Sequence, residues 1–283
     1  MVKDDVMSNL YYKNAKDIKL NYITKVHGEQ DGAMYGGYLF RFDGSGLVSV
    51  TDLSDYTLIN RHFADGIEKY KPHGNSVFFG TEFYDEKDKF PLLYSNVYNS
   101  YQNENEGVCL VYRITEDLKT KLVQVIKIGF VDKDDVWRSK NIQDVRPYGN
   151  FALDAKTNLM YAFTMRDQEK TARFFEFKLP KLIDGEIVTI NYEDITKQFD
   201  TPYIDFMQGA ICYDGYIYSL EGFNAVNAQK PKLKVIDVKS KEMVLDIDLT
   251  KHELIFEMEL VEVYNETLYL SDCWGNTYKG EFI

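Results

Sequence analysis

The chain has 283 residues, with 33 Lys and Arg against 45 Asp and Glu and a formal net charge of −12. Apolar residues make up 45 %, enough for a sizeable core and too many for a mainly disordered chain. Three cysteines (Cys109, Cys212, Cys273) exclude a disulfide-dense scaffold. The acidic balance excludes broad nucleic-acid backbone binding, which needs a clustered positive surface.

No run approaches the roughly 18 apolar residues of a membrane helix, so no membrane insertion is expected. Met1 to Asn9 carries no apolar stretch of signal-peptide type. Localisation therefore stays open between a cytoplasmic protein and a secreted one whose leader has been removed. The 22 Tyr and 18 Phe fall mainly in short alternating runs, a composition that favours strands.

In chain order the predicted strands begin with Tyr38–Phe42 and Leu47–Val50, either side of Asp43-Gly44-Ser45-Gly46. Leu92–Tyr98, Val108–Ile114, Leu122–Ile128, Leu159–Thr164 and Phe174–Leu179 follow. The last are Ile211–Tyr213, Tyr216–Leu220, Leu233–Val238, Met243–Ile247, Leu260–Tyr264 and Thr267–Ser271. Turn pairs such as Gly36-Gly37, Asp214-Gly215 and Asn265-Glu266 separate them. Apolar spacing of helical period is nowhere sustained; Lys181–Asp184 and Tyr192–Phe199 are the best short helical segments.

One half-blade pattern recurs: a polar or Gly-containing lead, an apolar strand, a turn, then a Tyr-rich strand. Gln208–Tyr218 is the clearest copy, Glu259–Tyr269 and Gln30–Phe40 match it, and looser copies start at His73 and Tyr148. Their spacing suits four-stranded blades of roughly 40–50 residues each, with surplus in the second and third. The expected fold is all-β: a five-bladed β-propeller of four-stranded antiparallel blades, six blades being the alternative, with residues 1–283 as one domain. From Glu259 to Ile283 there is room for three strands, so Ile18–Lys25 is expected to supply the fourth and close the ring.

The Gln208-Gly209 blade and the stretch from His73-Gly74-Asn75-Ser76 through Phe90-Pro91-Leu92-Leu93-Tyr94 resemble uncharacterised bacterial β-propeller proteins, a family often secreted. The resemblance is strongest over residues 73–94. It implies a propeller fold and supplies no catalytic residue.

In a propeller the innermost strands line a central channel, and the segments leading into them ring one mouth. The funnel candidates for ligand binding are therefore Gln30, Asp31, His73, Asn75, Asp144, Arg146, Gln208 and Glu259. Acids, amides, one imidazole and one guanidinium suit a polyhydroxylated or anionic small ligand; the competing reading is a set of polar residues that bond one another and water. Catalytic residues are not assigned. A glycan-cleaving hydrolase or lyase would need two carboxyls across a cleft, drawn from Asp31, Asp144, Glu259 and Glu262. Strand alternation sends Glu262 outward, away from Glu259. For His73 a structural role is favoured over that of ligand donor or general base.

No HExxH or paired CxxC occurs, so no metal site and no cofactor are expected. Asp85-Glu86-Lys87-Asp88 lacks the pattern of a calcium loop and reads as a charged hairpin. Trp274, in the Cys273-Trp274-Gly275-Asn276 turn, is read as packing between blades, with a sugar platform as the alternative. A binding or scaffold propeller is favoured over an enzyme; the third class is a protein-interaction platform with a plugged channel. Expected partners are a small polar molecule, a glycan or peptide end, or a protein.

Overall fold

The computed structural model describes residues 10–97, 107–129, 150–166, 170–203, 206–223 and 230–283. These residues are predominantly strand. After β1 (Ile18–Lys25) come β2 (Gly32–Tyr35), β3 (Tyr38–Phe42), β4 (Leu47–Asp52) and β5 (Leu58–Phe63), an antiparallel sheet in sequential order. A one-turn helix, α1 (Ile67–Tyr70), leads to β6 (Val77–Phe79), β7 (Leu93–Val97), β8 (Val108–Ile114) and β9 (Thr120–Ile128), again antiparallel and sequential.

The next strands are β10 (Asn150–Asp154), β11 (Leu159–Arg166) and β12 (Thr171–Lys178). Then β13 (Ile187–Ile190) leaves this order to lie parallel to β9, and β14 (Lys197–Pro202) returns to pair with β12. A further sequential antiparallel group is β15 (Met207–Tyr213), β16 (Tyr216–Glu221), β17 (Lys232–Asp237) and β18 (Glu242–Asp248). One parallel residue pair, Asp154 with Cys212, joins β10 to β15, so these two groups read as one eight-stranded sheet.

The last strands are β19 (Met258–Tyr264), β20 (Thr267–Asp272) and β21 (Asn276–Phe282). Their fourth partner is β1, antiparallel to β21 from Ile18 opposite Phe282 to Lys25 opposite Asn276. The chain's first strand thus completes its last sheet. The segment Tyr192–Phe199 departs from its helical expectation: Tyr192–Asp194 forms a single 3-10 turn, and Phe199 sits in β14 opposite Phe174.

Three hairpins share one turn chemistry. Gly36-Gly37, Asp214-Gly215 and Asn265-Glu266 all have positive φ at both central residues, between the cross-strand pairs Tyr35–Tyr38, Tyr213–Tyr216 and Tyr264–Thr267. This two-residue turn matches the right-handed twist of its strands, and Gly, Asn and Asp tolerate it best.

The inner strands of these sheets, such as β8 and β10, are buried on both faces and read as nearly continuous apolar runs, whereas the edge strands β1, β5 and β18 are part-exposed. Val77 and Phe79 of β6 pack with Phe40, Phe42 and Val50, whereas Phe78 packs with Phe151 and Phe175. In β12, Phe175 faces that layer while Phe174 joins Phe199, Ile217 and Ile236. Tyr218, Leu220 and Val235 meet Ile18, Val261, Leu268 and Phe282, and Leu260 with Tyr269 meets Met34 and Leu39. The last sheet therefore packs against the first. The leading strands are also neighbours: β10 lies beside β15, β15 beside β19, β19 beside β2, and β2 beside β6.

Ile18 is fully buried in this arrangement. Ile18→Val, which deletes one methyl group, is expected to lower stability by about 1 kcal/mol. Urea unfolding checks this; an unchanged midpoint would mean that β1 is not part of the cooperative core. No helix among the described residues is long and apolar enough to cross a membrane.

Candidate functional site

Several polar side chains converge where the leading strands begin. Gln30 and Asp31 precede β2, Asn75 and Ser76 precede β6, Asn150 opens β10, Gln208 is the second residue of β15, Glu257 precedes β19 and Glu259 is its second residue. Asp31, Asn75, Asn150, Gln208 and Glu259 are buried. The site candidates Gln30, Asp31, Asn75, Gln208 and Glu259 are thus brought together; Asp144 and Arg146 lie outside the described residues.

Several sets of hydrogen bonds run across the cluster and between the sheets. Asn75 Nδ2 donates to Gln208 Oε1 at 2.7 Å, and Gln208 Nε2 in turn donates to Glu257 Oε1. Gln30 Nε2 donates to Glu259 Oε1 at 3.4 Å. Asp31 Oδ2 accepts from the Val77 N–H at 2.9 Å. Asn96 Nδ2 donates to Asn150 Oδ1 at 2.7 Å, and Asn150 Nδ2 to the Met207 carbonyl at 3.2 Å. Polar side chains thereby tie β2 to β19, β2 to β6, β7 to β10 and β10 to β15.

Backbone irregularities aim two of these side chains. In β15, Met207 pairs with Glu221 and Ala210 with Ser219, which leaves a bulge at Gln208-Gly209. In β19, Met258 pairs with Asp272 and Leu260 with Ser271, a bulge at Glu259. A bulge adds a residue to one strand and re-aims its side chain. At Gly209 a Cβ would stand 2.3 Å from the Glu259 carbonyl oxygen and 3.1 Å from Asp31 Cγ. Only a glycine lets the three segments approach this closely.

A buried cation lies within the cluster. Arg41 is fully buried, and its Nε, Nη1 and Nη2 donate to the Gln30 carbonyl at 2.7 Å, Ser271 Oγ at 2.8 Å and the Asp272 carbonyl at 2.7 Å. Burial pulls its pKa down to about 10 against the opposing pull of Glu259, Asp31 and Asp272, so it stays charged at neutral pH. The carboxyls shift the other way. Burial raises Asp31 and Glu259 well above the ordinary range, with Glu257 adding repulsion at Glu259. Burial also pushes Glu257 up to about 7 and Glu262 to about 8.

These shifts give stability a pH dependence. The raised carboxyls hold protons in the folded state that the unfolded chain has lost above about pH 4. For Glu257 and Glu262 that contribution is complete below that value and is lost as pH rises through about 7 and about 8; Asp31 and Glu259, raised by burial, act in the same direction. His62 and His73 act oppositely, since burial lowers both and their penalty appears as pH falls through about 6.5. Between pH 7 and 9 the histidines are silent, so the melting temperature is expected to fall across that window. A flat or rising profile in differential scanning calorimetry would contradict it.

The His73 N–H donates to the Asn96 carbonyl at 3.2 Å, and its ring lies to one side of the carboxyls. Gly74, at φ +76°, reverses the chain between His73 and Asn75, and the imidazole lies against Gly44, where a Cβ would be 3.2 Å from its Cε1. Glu262 is not outward in the sense of exposed. It is buried against the first sheet, where Oε2 accepts from the Met34 N–H at 3.2 Å and Oε1 from the Val263 N–H at 2.8 Å. The last sheet has a neighbour on each face, so alternation moves Glu262 into the other interface rather than to solvent. Trp274 is also corrected: it is 58 % exposed and sits edge-on to the exposed Phe256 at 6.1 Å. The Cys273 N–H donates to the Glu257 carbonyl at 2.8 Å, which places this aromatic pair beside Glu257 at the rim.

Sequence reasoning missed Arg41, Asn96, Asn150 and Glu257. Only Glu257 left a signal, two residues before Glu259 and so on its side of an extended strand. In Asp85–Asp88 the Asp88 carboxylate forms a bidentate ion pair with Arg113, at 2.6 and 3.0 Å, which suits a charged hairpin. Among the described residues no group of three or more metal-ligating side chains is assembled.

No family model matches the chain, and no curated protein matches it in sequence. Among solved structures, glutaminyl cyclase of Myxococcus xanthus superposes with a TM-score of 0.55 at 10 % identity, over 93 % of this chain and 97 % of that one. Sqt1 of Saccharomyces cerevisiae superposes with a TM-score of 0.39 at 7 % identity, over 87 % of this chain and 55 % of that one. The first likeness fits the resemblance to bacterial β-propeller-like proteins, and at this identity it speaks for the fold alone.

Proposed function

We propose that the chain is a single-domain, five-bladed β-propeller that binds a small polar ligand where its leading strands begin. The blades are β2–β5, β6–β9, β10–β12 with β14, β15–β18, and β19–β21 with β1. Each pairs its strands in sequence and buries both faces against its neighbours, the last against the first. Asn75, Gln208, Gln30, Asp31 and Glu259 then face one another across the channel end.

One observation carries the binding reading. Gln30 Oε1, Asp31 Oδ1 and Glu259 Oε2 are buried without a hydrogen-bond partner. Buried polar atoms are nearly always satisfied, and the exceptions point to a role or to a bound molecule. Gln30 and Glu257 are only partly buried and lead from the surface towards these atoms.

The test is a thermal-shift screen against mono- and oligosaccharides, nucleotides, short peptides and small amines. A ligand that binds only the native state raises the melting temperature with concentration. The expected result is a shift with at least one small polar compound that is lost in Gln208→Ala and Glu259→Gln. A screen with no shift, or shifts indifferent to both substitutions, would remove this reading.

A second reading is catalytic. Glu257, pushed up to about 7, and Glu259, raised further by it, form a carboxyl pair able to exchange a proton near neutrality. Both come from one side of one strand. They suit proton transfer at a single point better than the opposed carboxyls of glycan cleavage, for which Asp31 and Glu259 remain the pair.

A further inference from the structure

We infer that the ligand of this site presents a primary ammonium group to Gln30 Oε1, Asp31 Oδ1 and Glu259 Oε2. The inference rests on the binding reading above and names the chemistry of the group that is bound. All three unpartnered atoms are oxygens: an amide carbonyl, which only accepts hydrogen bonds, and two carboxyl oxygens, which only accept once ionised; burial favours their protonated form in the empty site, and an adjoining ammonium favours the ionised one.

The neighbouring donors are already committed. Arg41 spends its Nε, Nη1 and Nη2 on Ser271 Oγ and the carbonyls of Gln30 and Asp272. Gln30 Nε2 is bonded to the other oxygen of Glu259, and the Val77 N–H to the other oxygen of Asp31. The amides of Asn75 and Gln208 are turned into the chain that ends at Glu257. None of these N–H groups reaches the three oxygens, so with the carboxyls ionised they call for donors brought by a ligand.

Candidate groups differ in what they bring. A hydroxyl brings one donor and an acceptor that needs a donor of its own. An ammonium brings three donors and no acceptor. It also brings charge: among the described residues Asp31 and Glu259 face Arg41, and a further cation offsets the penalty of burying carboxylates. A metal ion would want a ligand cluster that the described residues do not form. At the rim, the partly exposed rings of Phe256 and Trp274 offer apolar faces to the body of the amine and π faces to a cation on its way in.

The experiment titrates 1,4-diaminobutane and ethanolamine into the purified full chain by calorimetry, with melting temperature as a second readout. The controls are 1,4-butanediol, glucose, and tetramethylammonium chloride at matched ionic strength. Tetramethylammonium carries the charge without N–H donors. The amines are expected to bind and the controls not to. Glu257→Gln and Glu259→Gln are each expected to weaken amine binding about tenfold or more, while Ile183→Ser, at an exposed site remote in sequence, leaves it unchanged. If Glu259→Gln does not fold by circular dichroism, the partly exposed Glu257 variant carries the test alone. Equal binding of tetramethylammonium and the amines, or amine binding indifferent to the variants, overturns the inference. Binding of glucose or the diol with the amines silent overturns it while the binding reading survives. Silence from every probe here and in the broader screen overturns both.

Discussion

Replacing Arg41 by methionine is expected to destabilise the protein by about 3–5 kcal/mol, the largest effect of any single side chain at the site. Methionine keeps much of the stem and its packing. What disappears is a fully buried fork that joins the first sheet to the last through Ser271 and Asp272 and holds the Gln30 carbonyl. Those acceptors lose charge-assisted bonds in a place water does not reach. Asp31 and Glu259 also lose the cation that faces them, so their pKa values rise further. Gly28 packs on the Arg41 stem, where a Cβ would stand 2.6 Å from Cγ, a part of the side chain that methionine retains. Arg41→Lys is expected to fall between the two, because a lysine keeps the charge but not the planar fork. Urea unfolding of the three proteins at pH 7 decides it. A methionine variant within 1 kcal/mol of the parent would show that the seam does not depend on this residue.

The second large effect concerns Lys234 and Glu221, each only 2 % exposed and 2.7 Å apart. Lys234 Nζ also donates to the Pro202 carbonyl at 3.1 Å, which links β17 to the end of β14. Lys234→Met removes the cation from beside a buried carboxylate and is expected to cost about 3–5 kcal/mol. For a domain of this size that is a fall in melting temperature of about 10 °C. Changing both partners, Lys234→Met with Glu221→Leu, is expected to recover most of the loss, since desolvating two charges offsets much of their attraction. Calorimetry of the single and double variants tests both statements. A double variant no better than the single one would locate the cost in lost packing or in the Pro202 contact.

Legibility in the sequence followed the range of the forces involved. Strand periods, the two-residue turns at Gly36-Gly37, Asp214-Gly215 and Asn265-Glu266, and the deficit of one strand after Glu259 are local properties. They were sufficient to anticipate an all-β fold whose first strand, Ile18–Lys25, completes its last sheet. Asp31, Asn75, Gln208 and Glu259 were legible as a group because each stands in a similar polar lead just before, or at the start of, an apolar strand.

Other features had no local signature. The bulges at Gln208-Gly209 and Glu259 depend on how β15 and β19 pair with β16 and β20. Arg41 reads in sequence as an ordinary polar residue of an alternating strand. It is a buried cation only because the last sheet packs on the first. Glu262 went to an interface rather than to solvent because that sheet has a neighbour on each face. The Asp272 side chain accepts from the Trp274 and Asn276 N–H groups at 2.9 Å each and closes the turn with Asp272 and Gly275 buried and Trp274 exposed. The sequence by itself determined most of the strands, three of their turns and several of the polar ends they begin with, whereas Leu58–Phe63, Val77–Phe79, Ile187–Ile190, Lys197–Pro202 and Asn276–Phe282 were not read as strands. The tertiary structure alone decided which of those ends meet, which charges are buried and which oxygens lack a partner, because these depend on groups far apart in the chain.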